Sequence, residues 1–236
     1  MFTGLVETIG QLRHRAGAPV ARALFDASLG KLDLGESIAV NGVCLTVDRI
    51  VVTGFEADIS PESLARTTLG NLPAGARVHL ERATPLGGRM GGHVVLGHVD
   101  GIGRVVDLSP RGDAMRLEVH VDGHLAPYLV EKGSVCIDGV SLTINQIQDC
   151  LTERSPSVLF EVMLVPHTLR RTLLGNLRAG LHVNIEVDVL ARYVARQLAL
   201  GVNRGWAESS GADEQHHDES RDERLLEKLR AAGFVR

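Results

Sequence analysis

"NGVCLTV" (Asn41 to Val47) returns along the chain as "DGVSLTI" (Asp138 to Ile144), with Asn and Cys in the first copy and Asp and Ser in the second. Outward from this phrase the likeness continues. "PESLARTTLGNLPAGARVHLE" (Pro61 to Glu81) and "PHTLRRTLLGNLRAGLHVNIE" (Pro166 to Glu186) are identical at 12 of 21 positions without gaps. Upstream, "GLVETIG" from Gly4 matches "GHVDGIG" from Gly97 at four of seven. The offset grows from 93 (Gly4 to Gly97) through 97 (Gly42 to Gly139) to 105 (Pro61 to Pro166), so the second copy carries insertions. Insertions belong in loops, and "CLTERSPS", Cys150 to Ser157, reads as one. A period of about one hundred residues is too long for a solenoid unit and marks a duplicated domain. The junction falls at the glycine-rich "GGRMGGH", Gly87 to His93.

Within each half the pattern is short strands. "GLVETIGQL", "VARALFDA", "ESIAV", "VCLTVDRI", "VTGFEADI" and "RVHLER" are rich in strand-forming residues and separated by turn residues, which suggests an all-β barrel or sandwich. "SPESLARTTLG" reads as a short helix with Ser60 as N-cap, Pro61 in its first position and Gly70 closing it. The second copy has Val165 where the capping serine stood. "VLARYVARQLAL" is a helix with an apolar face at Leu190, Val194, Leu198 and Ala199, which needs a partner surface; self-association is the simplest. The boundaries expected are 1–93 and 94–188 for the barrels, 189–201 for the helix and 202–236 for a charged, partly disordered tail with a possible short helix.

The chain of 236 residues has 44% hydrophobic and 23% charged residues and a mean hydropathy of +0.07, an ordinary globular composition. Aromatics at 3% and a net charge of −4 argue against nucleic acid, which demands stacking platforms and a basic face. No apolar run is long enough to span a bilayer, and "MFTGLVETIGQLRHR" lacks the pattern of a secretory signal. Three cysteines, Cys44, Cys136 and Cys150, without CxxC spacing, fit a reducing cytoplasm rather than disulfides or zinc.

On a strand Cys44 and Thr46 share one face, with Leu45 and Val47 on the other; Ser141 and Thr143 share a face opposite Leu142 and Ile144. Each copy thus aims two small polar groups one way, beside a glycine that lets a ligand ring approach. These groups could equally satisfy backbone atoms in a tight barrel corner. His93 and His98 would face opposite sides of a strand, with no Cys or carboxylate cluster to make a metal site. His98 replaces Leu5 of the first copy, so only one half has a titratable group there; it could move a proton or serve structure alone. Lys132 and Asp138 also break the symmetry, standing against Gly35 and Asn41.

Taken together, "MFTGLVETIG", "NGVCLTV", "PESLARTTLG", "GGHVVLGHVDG", "DGVSLTI" and "DVLARYVARQLAL" resemble, in order and in both halves, the riboflavin synthase α-chain family over about residues 1–200. The resemblance implies two tandem six-stranded antiparallel barrels, each binding one 6,7-dimethyl-8-ribityllumazine, in a homotrimer held by the C-terminal helices. It implies a dismutation without metal or redox cofactor, in which one lumazine gives a four-carbon unit to another, yielding riboflavin and 5-amino-6-ribitylamino-uracil. The active site would lie between the N-terminal barrel of one subunit and the C-terminal barrel of another. By family match the ligand-lining residues are Gly4, Leu5, Val6, Cys44, Leu45, Thr46, Asp58, Ile59, Ser60, Pro61, Glu62 and Ser63 in the first barrel. In the second they are Gly97, His98, Val99, Lys132, Ser141, Leu142, Thr143, Met163, Leu164, Val165, Pro166, His167 and Thr168.

The catalytic roles expected on that basis fall to His98, Ser141 and Thr143 as the proton-handling group and to Cys44 on the first lumazine, with Asp138 and Lys132 positioning the ring or ribityl chain. Phe2, common in the family, is present; His167 stands where the first copy has Glu62 and the family an acidic residue. The alternatives are a non-catalytic lumazine- or flavin-binding relative, whose second barrel is expected to lose the polar set that this chain keeps, and a flavin reductase module, whose RxY[ST] motif is missing.

Overall fold

Both repeated phrases fold as the tips of β-hairpins. Val40 pairs with Val43 across Asn41-Gly42, and Ile137 pairs with Val140 across Asp138-Gly139. All four turn residues have positive φ, from 45° to 81°. Asn-Gly and Asp-Gly are the residue pairs that adopt such two-residue turns most readily, because both central positions must be left-handed.

The computed structural model describes residues 1–150 and 157–209, and the side chains to residue 200. In the first half β1 (Thr8–Ala16), β2 (Ala21–Asp26), β3 (Ser37–Val40), β4 (Val43–Thr46), β5 (Arg49–Val51), β6 (Gly54–Ile59) and β7 (Arg77–Arg82) form one antiparallel curled sheet in the order β4-β3-β7-β1-β2-β6-β5. In the second, β8 (Gly101–Arg111), β9 (Ala114–Asp122), β10 (Ser134–Ile137), β11 (Val140–Cys150), β12 (Ser157–Leu164) and β13 (His182–Val187) close a six-stranded barrel.

The all-β tandem reading therefore holds, but only the second half closes as the expected six-stranded barrel; the first is a curled sheet of seven strands that ends at β4 and β5. The single strand β11 of the second barrel corresponds to β4 and β5 of the first, which are separated at Val47-Asp48. The arms of the second hairpin are longer: β11 and β12 make six paired positions, β5 and β6 three. Strand β11 takes the bend as a register shift between Ile144 and Gln146 and stays one strand. The insertion expected after Cys150 falls on residues 151–156, outside the described residues.

Each half has its own core. Leu12, Phe25, Ile38, Phe55, Ile59 and Leu80 anchor the first, and Leu117, Ile137, Ile144, Phe160, Val162 and Ile185 the second. Phe25 and Phe55 are directly paired across β2 and β6, their rings stacked at 5.3 Å. Between the cores lies a small third cluster of Phe2, Ala39, Val95 and Cys136, all buried. Residues Met1–Ala195 make one compact unit.

Helix α1 (Pro61–Arg66) begins as expected, with the Ser60 hydroxyl accepting from the Ser63 amide at 3.0 Å and proline in its first turn. It ends earlier than the expected Gly70. The Thr67 hydroxyl donates to the Ser63 carbonyl at 2.6 Å and accepts from the Leu69 amide, which turns the chain into a 3-10 segment, Thr68–Asn71. In α2 (Pro166–Arg171) Val165 provides no side-chain cap, as its apolar side chain dictates. Helix α3 (Val189–Ser209) runs past the expected end at residue 201, and Leu190, Val194 and Leu198 are exposed along it. Of the expected tail, residues 210–236 lie outside the described residues.

Candidate active site

The leading segment of each half crosses to the other. Phe2 and Val95 exchange backbone hydrogen bonds at 2.6 and 3.1 Å, which locks residues 1–5 against residues 93–98. Beyond that bridge the Gly4 carbonyl accepts from the Ser141 amide at 2.8 Å, and the Gly97 carbonyl accepts from the Cys44 amide at 2.9 Å. The approach requires glycine. A Cβ on Gly4 would stand 2.6 Å from Ser141 Cβ, and one on Gly97 2.5 Å from Cys44 Cβ. Val6 accordingly packs on the second core and Val99 on the first. The expected sorting of these residues is thus exchanged: Gly4, Leu5 and Val6 belong with Ser141, while Gly97, His98 and Val99 belong with Cys44.

Two buried carboxylates hold the crossing. Glu81 accepts the Thr3 and Gly4 amides at 2.6 and 3.0 Å, and Glu186 accepts those of Leu96 and Gly97 at the same distances. Burial pushes the Glu81 carboxyl up and that of Glu186 up to about 7, against the pull of these amides. The identical glutamates that end the long repeat had looked like ordinary strand residues. Strand alternation sets both on the polar side, in line with Arg77 and His79 or His182 and Asn184, so nothing local marked them as buried.

The two small polar pairs sit as the alternation requires. On β4, Val43 and Leu45 are buried while Cys44 is half-buried and Thr46 exposed; on β11, Val140 and Leu142 are buried while Ser141 is half-buried and Thr143 exposed. The two faces differ in one partner. His93 Nδ1 lies 2.7 Å from Ser141 Oγ, and its Nε2 is buried with no hydrogen-bond partner. Burial lowers the pKa of this imidazole, favouring the neutral ring. Cys44 has no such histidine among the described residues. His93 was legible only as one of two histidines in "GGHVVLGH"; nothing local announced that the crossing would set it on Ser141.

The remaining expected residues divide. Lys132 is exposed, donates its backbone N–H to the Ile144 carbonyl at 2.8 Å and has φ of 64°. Its counterpart Gly35 has φ of 82° and reaches Val47 in the same way. A left-handed lysine where glycine would be relaxed is a strained residue beside the polar face. Ile59 and Leu164 are core residues; like Leu45 and Leu142 they can offer a ligand only their backbone. Asp58 is ion-paired with Arg22 at 2.9 Å, and Glu62 with Arg66 at 2.8 Å. Pro61, Ser63, Val165, Pro166, His167 and Thr168 lie on the first turns of α1 and α2, and Met163 is half-buried near the end of β12.

Asp138 belongs to neither polar face. It lies in the seam where the two hairpin tips meet: a Cβ on Gly42 would be 2.8 Å from the Gly139 nitrogen. Its Oδ1 accepts the Asn184 amide at 2.7 Å, as Asn41 accepts that of His79 at 2.8 Å. Burial pushes the Asp138 carboxyl up to about 7. Among the described residues no group of three or more His, Cys, Asp or Glu side chains stands at metal-ligating geometry.

A curled sheet and a closed barrel with exchanged leading segments, each presenting a small polar pair beside an obligatory glycine, define a duplicated small-molecule-binding protein. The lumazine binding domain family matches residues 3–83 and 96–188, one repeat per half. The riboflavin synthase of Photobacterium leiognathi is 40% identical over 204 residues, 85% of this chain and 90% of that protein. That of Mycobacterium bovis is 44% identical over 83% of this chain and 97% of the relative, and that of Bacillus subtilis 39% over 84% and 90%. Among solved structures, LumP complexed with riboflavin superposes with a TM-score of 0.68 at 24% identity, over 79% of this chain and 99% of that one, which shows the fold. The chain belongs to the riboflavin synthase family of lumazine-binding proteins.

Proposed function

We propose that the chain converts two molecules of 6,7-dimethyl-8-ribityllumazine into riboflavin and 5-amino-6-ribitylamino-uracil, a transferase moving a four-carbon unit from one lumazine to the other. The single observation that carries the reading, beside the family, is the pair of pseudo-equivalent polar faces with unequal equipment. A reaction between two copies of one molecule needs two like sites, and holding the pair in register can supply much of the rate. It also needs unequal chemistry, because one lumazine must lose a proton from its C7 methyl while the other is made electrophilic.

The first face is Cys44 and Thr46 with His98 following Gly97; the second is Ser141 and Thr143 with His93 and Lys132. The His93–Ser141 pair can relay a proton, the neutral ring accepting it. Lys132, held in a strained conformation, places a cation beside the second ring. Asp138 acts through the seam by fixing the hairpin that carries Ser141.

Both faces are open on a single chain, and the exposed Leu190, Tyr193 and Val194 of α3 provide a surface for self-association, in keeping with a homotrimer whose sites form between subunits. No helix among the described residues is long and apolar enough to cross a membrane, and the proposed compartment is the cytoplasm. Incubation of the purified protein with 6,7-dimethyl-8-ribityllumazine should produce riboflavin, followed by its absorbance and fluorescence. Saturable binding without riboflavin would make it a non-catalytic binder and end the reading.

A further inference from the structure

The two copies differ sharply in one cross-strand row far from the polar faces. In the second barrel Arg104 on β8 is directly paired with His182 on β13 and with His120 on β9. Three nitrogen-bearing side chains therefore stand abreast on three neighbouring strands. The equivalent row of the first half is Arg77, Gln11 and Asp26, which mixes charges. There the Gln11 amide donates to the Gly75 carbonyl at 2.9 Å, and Asp26 is ion-paired with Arg13 at 3.1 Å. In the second row none of the three side chains has a hydrogen-bond or ion-pair partner among the described residues.

This row lines a cavity of about 610 Å³, which shares Thr68, Leu72, Leu181 and His182 with a neighbouring cavity of about 470 Å³ along the seam of the two halves. Both volumes lie in the range that takes small ligands. Thr68 lines both cavities, and its hydroxyl is buried there without a hydrogen-bond partner among the described residues. An orphaned buried hydroxyl is costly unless something completes it. Asp122 is the one carboxylate on the larger cavity, and it is exposed at the end of β9. The walls shared by the two cavities are the apolar Leu72 and Leu181.

We infer that this cleft is a second ligand site, distinct from the lumazine-facing residues, for a small molecule with a ring-sized apolar body and a phosphate ester. The phosphate would lie across the Arg104 guanidinium and the N–H groups of His120 and His182, geometry that a planar fork is suited to bind. The body would rest on Leu72 and Leu181, with the Thr68 hydroxyl bonded to it.

The test is a titration of the full-length protein with phenyl phosphate, with the His120 and His182 ring signals followed by NMR, and with inorganic phosphate and phenol as separate arms. Saturable shifts with phenyl phosphate are expected, with weaker binding of phosphate and none of phenol alone. Arg104→Gln and Thr68→Val should each weaken phenyl phosphate by about tenfold, with an unchanged far-UV circular dichroism spectrum as evidence of correct folding. Absence of saturable shifts, equal affinity for inorganic phosphate, or unaltered affinity in Arg104→Gln would each overturn the assignment. None of these outcomes depends on turnover of lumazine.

Discussion

The His79 ring and the Asn184 amide do the same work at equivalent positions of the two halves. His79 Nδ1 lies 2.8 Å from the Asp138 carbonyl and Nε2 accepts the Leu173 amide at 2.6 Å. Asn184 donates to the Asn41 carbonyl at 2.8 Å and accepts the Thr68 amide at 2.7 Å. A ring that accepts on one nitrogen cannot be protonated there, and burial takes its pKa down to about 4. A depressed histidine contributes stability that is present above its unfolded value near 6.5 and lost as pH falls through about 4. His79→Asn, copying the other half, should therefore lose less stability than the parent between those pH values, as urea midpoints at pH 7 and pH 4.5 would measure. An unchanged acid slope would contradict it.

Asp138 acts with the opposite sign. Its folded pKa is raised from 3.8 to about 7, so its contribution is fully present below the lower value and lost as pH rises through the upper one. Asp138→Asn, which reproduces Asn41 and keeps the acceptor for the Asn184 amide, should match the parent near pH 4 and be more stable at pH 8, by on the order of a few kcal/mol. Riboflavin formation should survive, since Asp138 faces the seam. A variant that folds well but has no activity would return Asp138 to the chemistry.

At the polar faces, Ser141→Ala removes the partner of His93 Nδ1 and should lower turnover by about tenfold or more with little change in lumazine affinity. Cys44→Ser, which places in the first face the residue used by the second, should be the milder change. Steady-state kinetics separate the two, and equal effects would mean that the histidine is a bystander.

Lys132 offers a test of stability against activity. Lys132→Gly relieves a left-handed lysine as Gly35 does in the other half, so thermal stability should rise, by about 1 kcal/mol. Riboflavin formation should fall if the ammonium serves the second lumazine. A gain in both would remove any functional reason for the strain.

Gly97→Ala should be far worse than backbone strain alone explains. Its Cβ would stand 2.5 Å from Cys44 Cβ, whereas Gly112, also at positive φ, has open space around it. Gly112→Ala should cost about 1 kcal/mol. Gly97→Ala should cost more and also abolish lumazine binding at the first face, a difference visible by lumazine fluorescence.

What the sequence by itself determined was the duplication, the all-β character, the capped helix α1 and the faces of β4 and β11. All of these rest on local signals: period-two alternation, a serine before a proline, a phrase written twice. Only the tertiary structure decided which leading segment serves which barrel. That depends on amides of Thr3 and Leu96 reaching carboxylates 78 and 90 residues away, and on two hairpin tips meeting at Gly42 and Gly139. Such contacts leave no periodicity behind, only a buried charge or a glycine whose reason is elsewhere in the chain. For the same reason His93 gained its serine and Asp138 the Asn184 amide: contacts 48 and 46 residues apart, not spacing along either copy, set where those side chains point.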